Sequence, residues 1–243
     1  MYGLIGYPLS HSFSPAFFAE KFRKLGLQKR YDLYPLKSID KFRDLLLKQP
    51  GLQGLNITIP YKQKIIPYLD AVSPAAEAIK AVNCIEFRKG KLIGHNTDVW
   101  GFEFSLIPYL PKKNHQALIF GTGGSSKAVC YVFDLHQIPY RLVSTRPREE
   151  MMAYSELNEH MLEQFTILVN TTPIGMHPKV DQVLPLPFDS LSKRHFLFDL
   201  VYNPMETQFL KEGRIRGAEC KNGLEMLYLQ AEKSWHIWNS KDF

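Results

Sequence analysis

The sequence predicts an α/β fold in two domains, on three observations. Short apolar runs alternate along the chain with longer segments of helical periodicity, as expected of βα units built around a parallel sheet. The run Ala117-Leu-Ile-Phe enters Gly121-Thr-Gly-Gly and then a helix-like stretch, so a second set of units starts there. With 243 residues, 45% hydrophobic and 22% charged, the chain has an ordinary globular composition and length for one large domain or two modest ones. The boundary falls near residues 98–115.

Residues 3–7 read as a short apolar strand. Ser14 and Pro15 read as a cap followed by proline at the first helical position, and Phe17, Phe18, Phe22 and Leu25 give that helix one apolar face. Residues 31–35 form a strand, 39–47 a helix and 55–59 a third strand, in which Leu55, Ile57 and Ile59 alternate with Asn56 and Thr58 until Pro60. A helical stretch is expected over 61–80, then a hairpin of 83–87 and 91–94 around Lys89-Gly90. Residues 99–110 read as a linking helix stopped by Pro111-Lys-Lys-Asn. Strand 117–120, helix 125–135 and strands 141–144, 166–170 and 196–202 make the second set. The last helix, 224–238, places Leu224, Leu227, Ala231 and Trp238 on one face and is expected to return to the first domain. The expected domains are therefore 1–98 with 224–243, and 99–223.

Thirty Lys and Arg against 24 Asp and Glu give a net charge of +6, but the basic residues are scattered and form no stripe or nucleic-acid motif. Nucleic acid is not an expected partner; a mild positive field suits a polyanionic cofactor and a carboxylate substrate. Cys84, Cys130 and Cys220 are far apart and include no CxxC pair, so they read as reduced thiols of a cytoplasmic protein, and no metal site is expected. The first residues lack the pattern of a signal peptide, and no apolar run is long enough to span a bilayer.

The chemistry concentrates in the connections. Gly121, Gly123 and Gly124 lie between strand and helix, where a tight turn lets the backbone approach a pyrophosphate at a helix N-terminus. The dinucleotide fingerprint would have a third glycine where Ser126 stands, so a merely tight connection is the alternative. About 20 residues further on, an NAD site offers an acid to the ribose; here Ser144, Thr145 and Arg146 follow the strand instead, a set that suits a 2′-phosphate and hence NADP. Lys62 lies just past a strand tip, in a place suited to presenting an ammonium to a ligand, though alone it would read as a surface lysine. Ser12 and Ser14 offer hydroxyls where a helix starts, a natural carboxylate site, and His11 between them reads as a loop residue. Gln230, on an otherwise apolar helix, needs a polar partner if buried.

Ser10-His-Ser-Phe-Ser-Pro, Asn56-Ile-Thr-Ile-Pro-Tyr-Lys, Ala81-Val-Asn, Gly94-His-Asn-Thr-Asp-Val-Trp-Gly, Gly121-Thr-Gly-Gly, Asn170-Thr-Thr-Pro-Ile-Gly-Met, Asp199-Leu-Val-Tyr-Asn-Pro-Met-Glu-Thr and Asn222-Gly-Leu-Glu-Met-Leu occur in this order. The series resembles the shikimate dehydrogenase family, from residue 1 to about 235. The resemblance implies an N-terminal α/β substrate domain completed by the last helix, and an NADP-binding Rossmann domain between them. It implies reversible interconversion of shikimate and 3-dehydroshikimate, on the route to chorismate and the aromatic amino acids, by a monomer or homodimer. By motif position it implies Lys62 and Asp98 as the catalytic pair. Ser12, Ser14 and Tyr202 would lie at the substrate carboxylate, with Thr58, Asn83, Asp98 and Gln230 on its hydroxyl side. Cofactor contacts would come from Gly121, Gly123, Gly124, Ser125, Ser144, Thr145, Arg146, Thr171 and Val201, with Gly223 and Met226 bordering the nicotinamide. The family often carries Asn-Arg-Thr where Ser144-Thr-Arg stands, and residues 148–165 lack its usual long helix. An NAD-linked quinate dehydrogenase on the same scaffold, and a ligand-binding sensor without turnover, are the competing functions.

Overall fold

In a computed structural model the described residues are 1–9, 12–110 and 115–239. His11 and the predicted stop at Pro111-Lys-Lys-Asn lie outside them. Contacts divide the chain into two units, Met1–Trp100 with Gln230–Phe243, and Gly101–Leu229.

The first unit carries β1 (Tyr2–Gly6), α1 (Ser14–Lys24), β2 (Tyr31–Pro35), α2 (Phe42–Lys48), β3 (Gly54–Ile57), β4 (Ala71–Val72), α3 (Pro74–Ile79), β5 (Cys84–Arg88) and β6 (Lys91–His95). Its sheet order is β2-β1-β3-β5-β6-β4. β1 runs parallel to β2 and β3, whereas β5 is antiparallel to both β3 and β6. The sheet is mixed because the hairpin expected around Lys89-Gly90 forms: both residues have positive φ, 50° and 76°, as a two-residue hairpin turn requires.

The continuous helix expected over 61–80 is not there. The segment holds a single 3₁₀ turn (Ile66–Tyr68), then β4 and α3. Pro67 and Pro74 have no N–H to donate, so each marks the start of a short element rather than the interior of a long one. The cap expected at Ser14 is also corrected. Helix α1 begins at Ser14, Phe13 precedes it in helical conformation, and no side chain caps the end. The Tyr31 phenol, near Ser14, donates to Asn56 Oδ1 at 2.8 Å.

One face of this sheet is covered by Ile5, Phe42, Leu55, Ile57, Ile65, Val82 and Ile85. The other is aromatic: Tyr2, Phe18 and Phe22 pack with Trp235 and Trp238 of α8 (Leu224–Asn239). Tyr2 stacks on Trp238 at 4.8 Å between ring centroids, and Trp238 Nε1 donates to the Ile85 carbonyl at 2.9 Å, so the half-buried indole has its one donor satisfied.

The second unit follows α4 (Thr97–Leu106), within which the division falls, and carries β7 (Gln116–Phe120), α5 (Gly124–Leu135), β8 (Tyr140–Ser144), β9 (Met152–Ala153), α6 (Glu159–Gln164), β10 (Phe165–Asn170), β11 (Phe196–Asp199), α7 (Gln208–Ile215) and β12 (Glu219–Asn222). The order β9-β8-β7-β10-β11-β12 is all parallel and reverses direction between β7 and β10. That is the doubly wound dinucleotide-binding order, with its ligand crevice at the carboxyl ends of the strands. Leu118, Phe120, Val143, Leu168, Leu197 and Phe209 form one buried cluster, while Phe102 packs on Phe133 and Phe198. Between residues 148 and 165 lie β9, a 3₁₀ turn (Tyr154–Glu156) and the six-residue α6, so the long helix of the family pattern is missing. The strand expected over 196–202 ends at Asp199, and α7 and β12 follow as elements the sequence reading does not single out.

Candidate active site

In the first unit, β3 ends at Ile57 and the backbone turns at once: the Thr58 amide bonds the Ile5 carbonyl at 2.9 Å and the Tyr61 amide returns to the Thr58 carbonyl at 2.9 Å. Tyr61 is buried and its hydroxyl donates to the Leu36 carbonyl at 2.5 Å, which fixes the residue next to Lys62. Lys62 itself accepts the Val82 amide on its carbonyl at 2.7 Å. Its side chain leaves the turn and donates to Asp98 Oδ2 at 2.6 Å, with the two side chains 25% and 14% exposed. They are accessible enough to meet a ligand and dry enough for the pair to matter.

Asp98 stands in the first turn of α4, where the helix N-terminus favours a negative charge. Asn96 Oδ1 accepts the Asp98 and Val99 amides at 3.1 and 3.4 Å, and its Nδ2 donates to the Ala81 carbonyl at 3.0 Å. Asn83 completes the cluster. Its Oδ1 accepts the Thr97 amide at 2.7 Å, which turns Nδ2 toward Asp98 Oδ1 at 2.9 Å. One carboxylate oxygen is thus held by Asn83 and the other by Lys62.

Behind the cluster runs a buried polar network that the sequence did not single out. Asn56 Nδ2 donates to Ser234 Oγ at 2.9 Å, and Asn56 Oδ1 accepts the Tyr31 hydroxyl at 2.8 Å. Thr97 Oγ1 lies 3.4 Å from Gln230 Oε1 and 3.4 Å from Ser234 Oγ. Asn56, Thr97 and Ser234 are buried, so their side-chain bonds fix the backs of the elements that carry Asn83, Asp98 and Gln230. The available signal was a polar residue at an inward strand position in Leu55-Asn56-Ile57. Of the predicted residues, the structure brings Lys62, Asn83 and Asp98 together directly and Gln230 to them through Thr97. Ser12 Oγ donates to the Leu9 carbonyl at 3.2 Å, and Ser14 opens α1.

In the second unit, Gly121 has φ +105°, and a Cβ there would come within 2.7 Å of Thr171 Oγ1. Only glycine fits both the turn and the contact. Gly123 and Gly124 differ: a Cβ on either meets nothing within 4 Å. Protein packing does not require them to be glycine, and they leave an open face at the start of α5 that suits a diphosphate. Ser126, where the fingerprint has its third glycine, is buried and donates to the Gly123 carbonyl at 2.7 Å, so the departure braces the turn. Ser125 follows on the first turn of α5.

At the end of β8, Ser144 Oγ accepts the Arg146 amide at 3.1 Å, while Thr145 and Arg146 are exposed. Thr171 donates its hydroxyl to the Phe120 carbonyl at 2.7 Å, beside the glycine turn. Val201 and Met226 are buried, Tyr202 is half-buried, and the Gly223 amide bonds the Val201 carbonyl at 3.2 Å. The residues present suit NADP: Gly121 to Ser125 would hold the diphosphate and Ser144 to Arg146 the 2′-phosphate. Among the described residues no cluster of His, Cys, Asp or Glu could hold a metal ion, and no helix is long and apolar enough to cross a membrane.

A family model described as the shikimate dehydrogenase substrate binding domain matches residues 4–85. A relative from Clostridium beijerinckii, named Shikimate dehydrogenase (NADP(+)), is 38% identical over 98% of this chain and 91% of its own length. Shikimate 5-dehydrogenase from Thermus thermophilus, solved in complex with NADP(H) and shikimate, superposes with a TM-score of 0.86 at 28% identity, covering 98% of this chain and 92% of that one. Quinate dehydrogenase from Corynebacterium glutamicum, in complex with NAD, gives the same TM-score and identity over 98% and 93%. On near-complete coverage at this identity, the chain belongs to the shikimate dehydrogenase family.

Proposed function

We propose that the chain is an NADP-dependent shikimate dehydrogenase, interconverting shikimate and 3-dehydroshikimate on the route to chorismate and the aromatic amino acids. The observation that carries the reading is the Lys62–Asp98–Asn83 cluster. In the oxidising direction the substrate hydroxyl loses its proton as hydride departs. Lys62 Nζ is in reach of a ligand at the end of β3; as an amine it takes that proton and becomes the ammonium, and the ammonium returns it to the carbonyl oxygen in the reverse direction. Asp98 holds the Lys62 nitrogen in place and balances its charge; Asn83 holds Asp98. NADP, when bound, supplies the hydride acceptor.

In this reading residues 1–98 with 224–243 bind substrate and 99–223 bind cofactor. Ser12, Ser14 and Tyr202 meet the substrate carboxylate, and Thr58, Asn83, Asp98 and Gln230 its hydroxyls. The cofactor is held by Gly121, Gly123, Gly124, Ser125, Ser144, Thr145, Arg146, Thr171, Val201, Gly223 and Met226. The enzyme works as a monomer or homodimer in the cytoplasm, where the unpaired thiols Cys84, Cys130 and Cys220 stay reduced. The test is turnover by the purified chain: NADP reduction at the expense of shikimate supports the reading, and binding of both without turnover identifies a sensor instead.

Two further outcomes follow from the assigned contacts. Ser12→Ala and Ser14→Ala each remove a donor from the carboxylate, costing roughly 1–3 kcal/mol, so shikimate KM rises by roughly 5- to 150-fold while NADP KM is unchanged. Unchanged shikimate kinetics in Ser12→Ala would remove the carboxylate from this loop. Arg146→Ala raises KM for NADP far more than for NAD, since only NADP offers the 2′-phosphate. Equal effects on both cofactors would put this arginine elsewhere.

A further inference from the structure

Asp199, at the end of β11, is completely buried and has no counterpart in the proton-transfer scheme. Three donors from three segments converge on it. Oδ1 accepts Asn170 Nδ2 and the Val201 amide, both at 2.9 Å, and Oδ2 accepts the Thr207 hydroxyl at 2.5 Å. Asn170 ends β10, and its own Oδ1 accepts the amide and hydroxyl of Thr172 at 2.9 and 2.7 Å. Thr207 caps α7, accepting the Leu210 amide.

The segments tied to this carboxyl carry the proposed cofactor contacts. Thr171 lies between Asn170 and Thr172, against Gly121. Val201 is held by its amide, and its carbonyl in turn accepts the Gly223 amide at 3.2 Å. A Cβ on Gly223 would lie 2.1 Å from the Leu200 carbonyl oxygen, so the turn after β11 and the start of α8 fit backbone against backbone with no slack. These segments leave β10 and β11 at the carboxyl ends of the strands, where a doubly wound sheet binds its ligand.

We propose that Asp199 is a positioning residue for the dinucleotide site, its carboxyl group setting the turns that carry Thr171, Val201 and Gly223. Asp199 does not touch the cofactor; it acts through the backbone of those turns. The claim rests on the cofactor reading above, and the two fail differently.

The experiment is direct titration of NADP into wild type, Asp199→Ala and Asp199→Asn, with steady-state kinetics alongside. Asp199→Ala is expected to weaken NADP binding about tenfold and to leave shikimate KM within about twofold. Asparagine keeps an oxygen for Asn170 and Val201 and an NH₂ for Thr207 Oγ1, so Asp199→Asn restores binding to within about threefold. A folded Asp199→Ala that binds NADP like wild type, or that loses affinity for NADP and shikimate alike, overturns the proposal and leaves the cofactor reading standing. Wild type that fails to bind NADP overturns both. If Asp199→Ala does not fold, Thr207→Val against Thr207→Ser asks the same question through one of the three bonds: weaker NADP binding in the valine variant only is the supporting result, and equal affinities contradict it.

Discussion

Lys62→Ala is expected to lower kcat for shikimate oxidation by ~10²–10⁴, the usual range for losing a positioned proton-transfer group. Shikimate affinity stays within a modest factor, because the carboxylate contacts and the other hydroxyl contacts come from other residues. The pair is short, 2.6 Å, and mostly shielded, so the nitrogen is held where the turn after β3 places it and not sampling solvent. Asp98 keeps its bond from Asn83 in the variant, and α4 keeps its Asn96 contacts, so the fold survives the change. Pre-steady-state measurement of the hydride step separates this effect from slow product release. A variant retaining kcat within about threefold of wild type would falsify the role of Lys62.

The second large effect is on stability and concerns Asp199. Burial raises its pKa from 3.8 to about 7, against the opposing pull of the Thr207, Val201 and Asn170 hydrogen bonds. A carboxyl whose folded pKa lies above its unfolded value favours the folded state fully below the unfolded pKa. That contribution is lost as pH rises through the folded pKa. Between about pH 4 and about pH 7 the unfolded chain releases this proton while the folded chain keeps it. The span corresponds to a loss of the order of 4 kcal/mol. Asparagine cannot ionise, so the difference in unfolding free energy between wild type and Asp199→Asn should change across that window and flatten outside it. Urea denaturation at pH 4.5 and pH 8 (round values on either side of about 7) measures it; a difference independent of pH would mean that the carboxyl titrates normally.

What the sequence made legible was whatever leaves a periodic or chemical mark. The five-residue β1 is entirely buried and reads as an apolar run; the hairpin of β5 and β6 is announced by Lys89-Gly90. The glycine turn reads because Gly121 needs a backbone conformation and close contact that other residues do not tolerate. The long helix over 61–80 was misread because its composition is helical while Pro67 and Pro74 interrupt the hydrogen-bond ladder. The cap expected at Ser14 is absent because Phe13 is already helical, so the helix start lies one residue earlier than the Ser-Pro pair suggests. Distance along the chain hides Asn56, Thr97, Ser234 and Asp199. Each bonds across elements far apart in the chain, and nothing local in Leu55-Asn56-Ile57 or Phe198-Asp199-Leu200 says which segment will supply the partner.

At the end of β8 the chain places Ser144, Thr145 and Arg146 where an NAD site has an acid, while the superposition on an NAD-bound quinate dehydrogenase is as close as that on an NADP(H)- and shikimate-bound relative. Quinate carries one hydroxyl more than shikimate, which the pocket must accommodate and bond. Steady-state kinetics of wild type on shikimate and quinate, each with NADP and with NAD, therefore tests the central claim most directly. The account predicts the highest kcat/KM for shikimate with NADP; a preference for quinate with NAD would contradict it.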